Sequence, residues 1–414
     1  MSDPLRRRDD CRLCGSGSLG LALSLAPTPP ANAFVSSEHC DEPQALFPLD
    51  LHLCGDCGHL QLLDVVDPEE LFADYIYVSG TSPAFVDHFR DYAAALSARA
   101  GLGQKDLVVD IGSNDGTMLG FFKAGGQRVL GIDPAREIAA RANDAGIETL
   151  VEFFTVELAE RERERVGPAR AITANNVFAH IDDLAGVADG VRTLLAPDGL
   201  FAFEVSYLMD VIEKTLFDTI YHEHLDYHAL GPLVPFFAAR DMEVVAAERV
   251  ASHGGSIRVF VQHAGGPHRR EAAVEGLIEE ERARGLGRLE TFHDFAERID
   301  RLKGELVDLL SGLGRDGMRI AGFGAPAKAT TLLHHFELGG ELEFIVDDSP
   351  LKQGLYTPGH HIPVVASEEL YKRMPDYTLI LAWNFAAPIM ANHQDYTRRG
   401  GRFIVPIPEV KVTP

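Results

Sequence analysis

At 414 residues the chain is long enough for about three domains, each able to bury its own core. Hydrophobic residues make up 46% and charged residues 24%, the balance of a soluble folded protein, and no run of about 18 apolar residues is present to cross a bilayer. The formal net charge of −24 excludes nucleic acid and anionic membrane as partners, and obliges any phosphorylated ligand to find a local cluster of donors.

The chain opens with "LRRR" ahead of the apolar run "LGLALSLAP", a weak imitation of a secretory leader that the acids of "DDCRLCG" interrupt. The expected location is cytoplasmic. Four of the five cysteines form two knuckles, Cys11 and Cys14 in "CRLCG" and Cys54 and Cys57 in "CGDCG". Each C-x-x-C turn aims two thiolates at one point, and two such turns complete the S4 shell that a structural zinc favours. Residues 1–70, rich in Pro, Gly and Leu with little helical periodicity, are expected to be a small zinc-binding domain stapled by that metal. Cys40 is left over as a plain thiol.

From "DPEELFADYIYVSGTSPAFVDHF" a helical pattern runs to about Gly101. The strand-like runs "DLVVDIG", "RVLGID", "AITANNV" and "GLFAFEV" then alternate with helical stretches, which predicts a doubly wound α/β domain over residues 71–265. Its tail, "MEVVAAERVASHGGSIRVFVQHA", reads as an antiparallel pair around Gly254 and Gly255. Residues 266–315 carry a 3.6-period stripe of Leu289, Phe292, Ala296, Ile299, Leu302, Leu306, Leu309 and Leu313, a long helical linker between domains. A second α/β domain, residues 316–414, begins at "RIAGFGAPAKATTLL", with "LEFIVDD", "HIPVV" and "YTLILAW" as further strands.

Two glycine loops carry chemistry. "DIGSNDG" sets Asp110 at a strand end and Gly112, Asn114 and Gly116 in the turn before a helix, where unpaired N–H groups face a ligand. Asp133, closing the next strand, suits the hydroxyls of a ribose. An acid opening the loop would suffer beside a pyrophosphate but tolerates the cationic amino end of S-adenosylmethionine, so this loop favours that cofactor over NAD. The second loop does match G-x-G-x-x-A, through Gly322, Gly324 and Ala327 with Asp347 beyond, which keeps a nicotinamide-linked oxidoreductase as the rival reading. Lys328 and Lys352 are available there as point charges for a diphosphate. A non-catalytic zinc scaffold is the third reading.

The densest titratable stretch is "TIYHEHLDYHAL". As a helix it would share one face among Tyr221, His224 and His228; extended, it would pair His222 with His224. Neither geometry converges three imidazoles on a metal, and proton transfer, with Tyr221 or Glu223 fixing an imidazole, is the better use. The segment follows the strand "GLFAFEV" toward the rim where α/β domains bind ligands, and "NNVFAHIDD" brings Asn175, Asn176 and His180 to the same rim.

Taken together, the double CxxC, "DYIYVSGTS", "DIGSNDG", "NNVFAHIDD", "YHEHLDY", "SHGGSIRVF" and "GAPAKATTLL", in order from Cys11 to the C-terminal "LAWNF", make the chain resemble the sugar-nucleotide C-methyltransferases of antibiotic deoxysugar pathways. The resemblance implies an N-terminal zinc domain, a central class I methyltransferase domain and a C-terminal Rossmann-like domain. It implies methyl transfer from S-adenosylmethionine to C3 of a dTDP-linked 4-keto-6-deoxy sugar, often 2,6-dideoxy. By motif, His224 would remove the C3 proton, Tyr221 and Glu223 would shape the site, Tyr75 would approach the sugar, and His180 would be a second titratable neighbour. The cofactor would contact Asp110, Gly112, Asn114, Gly116, Asp133 and Asn175, and the sugar nucleotide Asn176, Ser256, Arg258, Lys328 and Lys352. A monomer is the working expectation.

Overall fold

The computed structural model describes residues 5–67, 71 and 83–413. The N-terminal part is built from β1 (Leu5–Arg7), β2 (Leu19–Thr28), β3 (Phe47–Cys54), β4 (Leu60–Leu62) and β5 (Asp64–Val66). β1 pairs with β5, while β2, β3 and β4 form an antiparallel sheet. That sheet is not self-contained. Its edge strand, β11 (Asp226–Tyr227), comes from the middle of the chain, with Asp226 opposite Gln61 and Tyr227 opposite Leu60.

The central sheet contains β6 (Leu107–Ile111), β7 (Arg128–Ile132), β8 (Thr149–Leu150), β9 (Ala169–Asn175), β10 (Leu195–Ser206), β12 (Met242–Val250) and β13 (Ser256–His263). Their order across the sheet is β12-β13-β10-β9-β6-β7-β8. β6 is buried at every position, as a strand flanked by parallel neighbours and covered on both faces must be. The expected antiparallel tail is present: β13 runs against both β10 and β12.

The linker is two helices, Ala272–Ala283 and Leu289–Arg315. The longer one buries Phe292, Phe295, Ile299, Leu302, Leu306 and Leu310, each worth about 1.5–3 kcal/mol when withdrawn from water. It touches all three parts. Leu289 packs over Gly20 of β2, the Arg298 guanidinium donates to the Ile212 carbonyl at 2.6 Å, and Lys303 pairs with Glu337 at 2.8 Å.

The C-terminal sheet is formed by β14 (Ile320–Phe323), β15 (Ile345–Val346), β16 (Val364–Val365), β17 (Tyr377–Ile380), β18 (Arg402–Val405) and β19 (Lys411–Thr413), in the order β16-β15-β14-β17-β18-β19. β14 to β18 are parallel and β19 closes the edge antiparallel. The last two strands, of four and three residues, had no counterpart in the sequence reading. No helix among the described residues is long and apolar enough to cross a membrane.

Candidate active site

The first glycine loop leaves β6 and enters the helix Thr117–Ala124. Gly112 sits at φ 68° and Gly116 at φ 75°, where a side chain is strained. A Cβ on Gly112 would also come within 2.3 Å of the Val177 side chain, so packing as well as φ restricts this position to glycine. Asp110 is buried and accepts from the Thr173 hydroxyl at 2.6 Å; burial pushes its carboxyl up to about 7. Asp133 accepts from the amides of Asn114 (2.8 Å) and Ala135 (2.9 Å), holding the loop in shape. Asn175, at the end of β9, lies across from Glu204 and donates to the Met118 sulfur at 2.8 Å. These groups fit S-adenosylmethionine: a buried acid, a close glycine turn, a helix N-terminus and a second acid.

The C-terminal glycine loop repeats the device. Asp347 accepts from the amides of Ala325 (2.7 Å) and Ser349 (2.8 Å), as Asp133 does in its own loop. Local geometry at the two acids therefore does not separate one cofactor from another.

The stretch around His224 is neither helix nor strand. A turn closed by His224 N–H on the Tyr221 carbonyl (2.8 Å) leads into β11. The four polar residues are thereby dealt to different neighbours. His224 Nδ1–H donates to the Thr219 carbonyl at 2.7 Å, which leaves the lone pair on Nε2, 2.9 Å from the Tyr221 hydroxyl. The His180 ring stands edge-on to His224, centroids 4.9 Å apart. Burial pushes His224 down to about 4 and holds His180 well below the usual imidazole range, with His224 adding to the latter. Both rings are thus neutral near pH 7. His222 faces the zinc domain instead, its Nε2–H 3.2 Å from the Phe47 carbonyl, and His228 sits among the rings of Phe178, Phe203 and His59. Those two are packing residues.

Glu223, 3% exposed, accepts from Asn32 of the zinc domain at 2.7 Å. Burial pushes it up to about 7, against that hydrogen bond and the charge of Lys352. Lys352 donates to the Ala325 carbonyl at 2.8 Å. Lys328 lies over the Trp383 ring, 3.5 Å from its centroid, and donates to Asn384 at 2.6 Å. Burial lowers its pKa while the charge of Asp218 works against that, and Asp218 itself accepts from the Trp383 indole at 2.5 Å. The two lysines and the histidine turn therefore all lie where the C-terminal domain meets the rest.

Arg258 and Ser256 are both engaged within the fold. Register places Arg258 opposite Glu204, and its guanidinium makes two bonds to that carboxylate (2.8 and 3.1 Å), one to Glu248 (3.0 Å), and lies over Tyr92. Its charge is matched inside the fold by Glu204 and Glu248. Ser256 donates to the Ser252 carbonyl at 3.1 Å. Asn176, at φ 53°, turns the chain beyond β9 and donates its amide to the Glu204 carbonyl. Tyr75 lies outside the described residues.

The sulfurs of Cys11, Cys14, Cys54 and Cys57 all lie within 4.8 Å of one another, with the closest pairs at 3.5 and 3.6 Å. A tetrahedral S4 shell with Zn–S bonds near 2.3 Å needs sulfurs about 3.8 Å apart, so the four thiolates fit zinc. Each knuckle is closed alike, by Gly15 N–H on the Cys11 carbonyl and Gly58 N–H on that of Cys54.

Three family models match consecutive segments: a zinc binding domain over residues 11–72, a methyltransferase domain over 85–249 and a C-methyltransferase C-terminal domain over 251–408. C-methyltransferase NovU of Streptomyces niveus is 41% identical over 413 residues, covering 100% of this chain and 98% of that protein. This chain belongs to the C-methyltransferase family. Among solved structures, an S-adenosylmethionine-dependent methyltransferase from Clostridium acetobutylicum ATCC 824 (13% identity, TM-score 0.36) covers 44% of the chain and 92% of its own length. Magnesium protoporphyrin IX methyltransferase from Synechocystis PCC 6803 (12%, TM-score 0.34) covers 43% and 79%.

The C-methyltransferase takes its methyl group from S-adenosylmethionine, which sets aside the nicotinamide and scaffold readings. Several groups around its site escaped the sequence reading. Asp218 lies in the short helix Phe217–Thr219, and Trp383 and Asn384 share another, Trp383–Phe385, some 165 positions later; the motif "LAWNF" contains the last two but gives no sign of their partner. Glu204 hid inside an apolar strand, and Asn32 in a loop with no pattern.

Proposed function

We propose that this C-methyltransferase methylates C3 of a dTDP-linked 4-keto-6-deoxy sugar, often 2,6-dideoxy, through an enolate, with His224 as the base, in the cytoplasm and as a monomer. The observation that carries the reading is the orientation of one ring: with Nδ1–H held by the Thr219 carbonyl, His224 keeps a neutral Nε2 lone pair in a buried site beside Tyr221 and His180. A C3 hydrogen is acidic because the neighbouring C4 carbonyl can take up the charge. Nε2 accepts the proton, the C–H electron pair becomes the enolate, and that carbon forms the new C–C bond. Bound S-adenosylmethionine supplies an electrophilic methyl whose leaving thioether is neutral, so the protein has to make and align the nucleophile rather than assist departure.

A ring held near pKa 4 is a weak base in the free enzyme. Charge developing on the enolate oxygen and a diphosphate nearby both favour the imidazolium, which raises its basicity when the substrate is in place. Tyr221, 2.9 Å from the base, can donate to it or to the developing oxyanion. By the family resemblance alone, Tyr75 would approach the sugar. Lys328 and Lys352 are the cations offered to the diphosphate at the domain junction, with Glu223 fixing the turn and Asn176 on the same rim.

The test is transfer of labelled methyl from S-adenosylmethionine to carbon of a 4-keto sugar nucleotide, followed in D2O. His224→Gln is expected to abolish both methylation and exchange of the C3 hydrogen while leaving cofactor affinity unchanged. Exchange that persists in the variant would transfer the role of base to another group.

A further inference from the structure

The two histidine-bearing loops belong to the central domain, yet both are tied to one side chain of the zinc domain. Arg12 lies inside the first knuckle, between Cys11 and Cys14, and is 4% exposed. Its Nε donates to Asp182 at 3.0 Å, two residues beyond His180. The same nitrogen lies 3.9 Å from Asp226, two residues beyond His224. Its Nη1 donates to the Gln61 side chain (3.1 Å) and to the Leu62 carbonyl, and its own backbone N–H donates to Gln61 (3.1 Å). Gln61 is in turn the β4 residue opposite Asp226.

The surroundings reinforce this bridge. Arg8 also donates to Asp182 (3.1 Å), and Arg6 pairs with the same carboxylate. His59, two residues after Cys57, is bonded to Asp226 at 2.6 Å with both groups fully buried. The loops are fastened to each other as well, since the amides of Leu225 and Asp226 both donate to the Ala179 carbonyl, at 2.8 and 3.2 Å. His180 and His224 thus each sit one short peptide span from a carboxylate beside the guanidinium of the metal knuckle, Asp182 bonded to it directly and Asp226 held by His59 with the Arg12 charge 3.9 Å away.

We infer that Arg12 is a positioning residue: through Asp182 and Asp226 it holds the His180 and His224 rings in their mutual edge-on arrangement, and so connects the zinc centre to the methyl-transfer site. Arginine is the residue that can do this, because its planar fork donates in several fixed directions at once, whereas a lysine ammonium on a flexible stem can satisfy one carboxylate but not span two strands and a loop. The zinc residues contribute by fixing the knuckle backbone from which the guanidinium projects. The effect on turnover rests on His224 being the base; the effect on ring geometry does not.

The experiment uses the full-length zinc-loaded enzyme with 15N-labelled histidine, the signals of His180 and His224 being assigned through single substitutions. Two variants are compared with the parent: Arg12→Lys, which keeps the charge, and Asp182→Asn, which sits on a partly exposed carboxylate and is the milder perturbation. Both are expected to retain zinc and S-adenosylhomocysteine binding, to move the ring signals of His180 and His224 while leaving those of His335 and His393 in place, and to lower kcat on the order of 100-fold with little change in KM, the scale of a base displaced by about 1 Å. Displaced ring signals with unchanged turnover would support the positioning role and refute His224 as the base. Unmoved ring signals in both variants would overturn the inference whatever happened to kcat. Loss of zinc from Arg12→Lys would overturn it too, since the residue would then serve the metal site itself.

Discussion

Replacing Glu223 with glutamine should make the enzyme more stable at high pH than the parent. In the fold the Glu223 carboxyl titrates near 7 against a reference of 4.5, because burial penalises its charged form more than Asn32 and Lys352 compensate. A carboxyl raised in this way binds its proton more tightly when folded, so its contribution is intact below about pH 4.5 and is lost as pH climbs through about 7. At about 1.4 kcal/mol per unit, the penalty on the parent is roughly 1 kcal/mol at pH 5, about 2 at pH 6 and about 3 at pH 8. Glutamine keeps the oxygen that accepts from Asn32 and carries no titration, so subtracting the two proteins isolates this group from every other that titrates. The assay is urea unfolding of both proteins at pH 5, 6, 7 and 8. The difference in unfolding free energy should move in favour of Glu223→Gln by about 2 kcal/mol from pH 5 to pH 8. A flat difference would mean that Glu223 is solvated or firmly ion-paired to Lys352, and burial would no longer explain its raised pKa.

Arg258→Met should destabilise the protein by about 3 kcal/mol, because the buried Glu204 would keep His88 and Ser252 but lose both bonds from the guanidinium, and adding Glu204→Gln should recover much of that loss in thermal unfolding. Gly112→Ala forces a side chain into positive φ and against Val177; calorimetry should show cofactor affinity falling by about tenfold or more, and Val177→Ala should restore little of it because the backbone strain, about 1–3 kcal/mol, remains. Removing zinc with a strong chelator withdraws on the order of 10 kcal/mol of coordination free energy, so the thermal midpoint should drop and methyl transfer should cease together. If activity outlasted the metal, the cysteine cluster would be dispensable to the working fold.

The parts of this architecture that could be read in advance are those where one local rule dominates. β6, β7, β9 and β10 announced themselves because buried parallel strands are continuous apolar runs, and the cysteine knuckles because four thiolates within two tight turns have few other uses. The failures share a different character. His222 and His228 were paired with His224 by helical or extended periodicity, but a turn at Tyr221–His224 obeys neither period and sends them into separate apolar surroundings. The pairing of Arg258 with Glu204 was equally hidden, since only the antiparallel register of β10 and β13 sets the two opposite each other. The two residues of β11 could not be recognised at all. Their partners lie some 160 positions earlier, and nothing in "LDY" says that it completes another domain's sheet.

That borrowed strand limits how the protein can be taken apart. Residues expressed up to Asp67 would end with the β4 edge bare and hydrogen-bonding, an invitation to intermolecular pairing, and a ribosome cannot finish the metal module until the chain has passed Tyr227. Anyone grafting the cysteine-rich segment onto a relative would have to transplant the Thr219–His228 stretch with it, for the two were assembled as one piece.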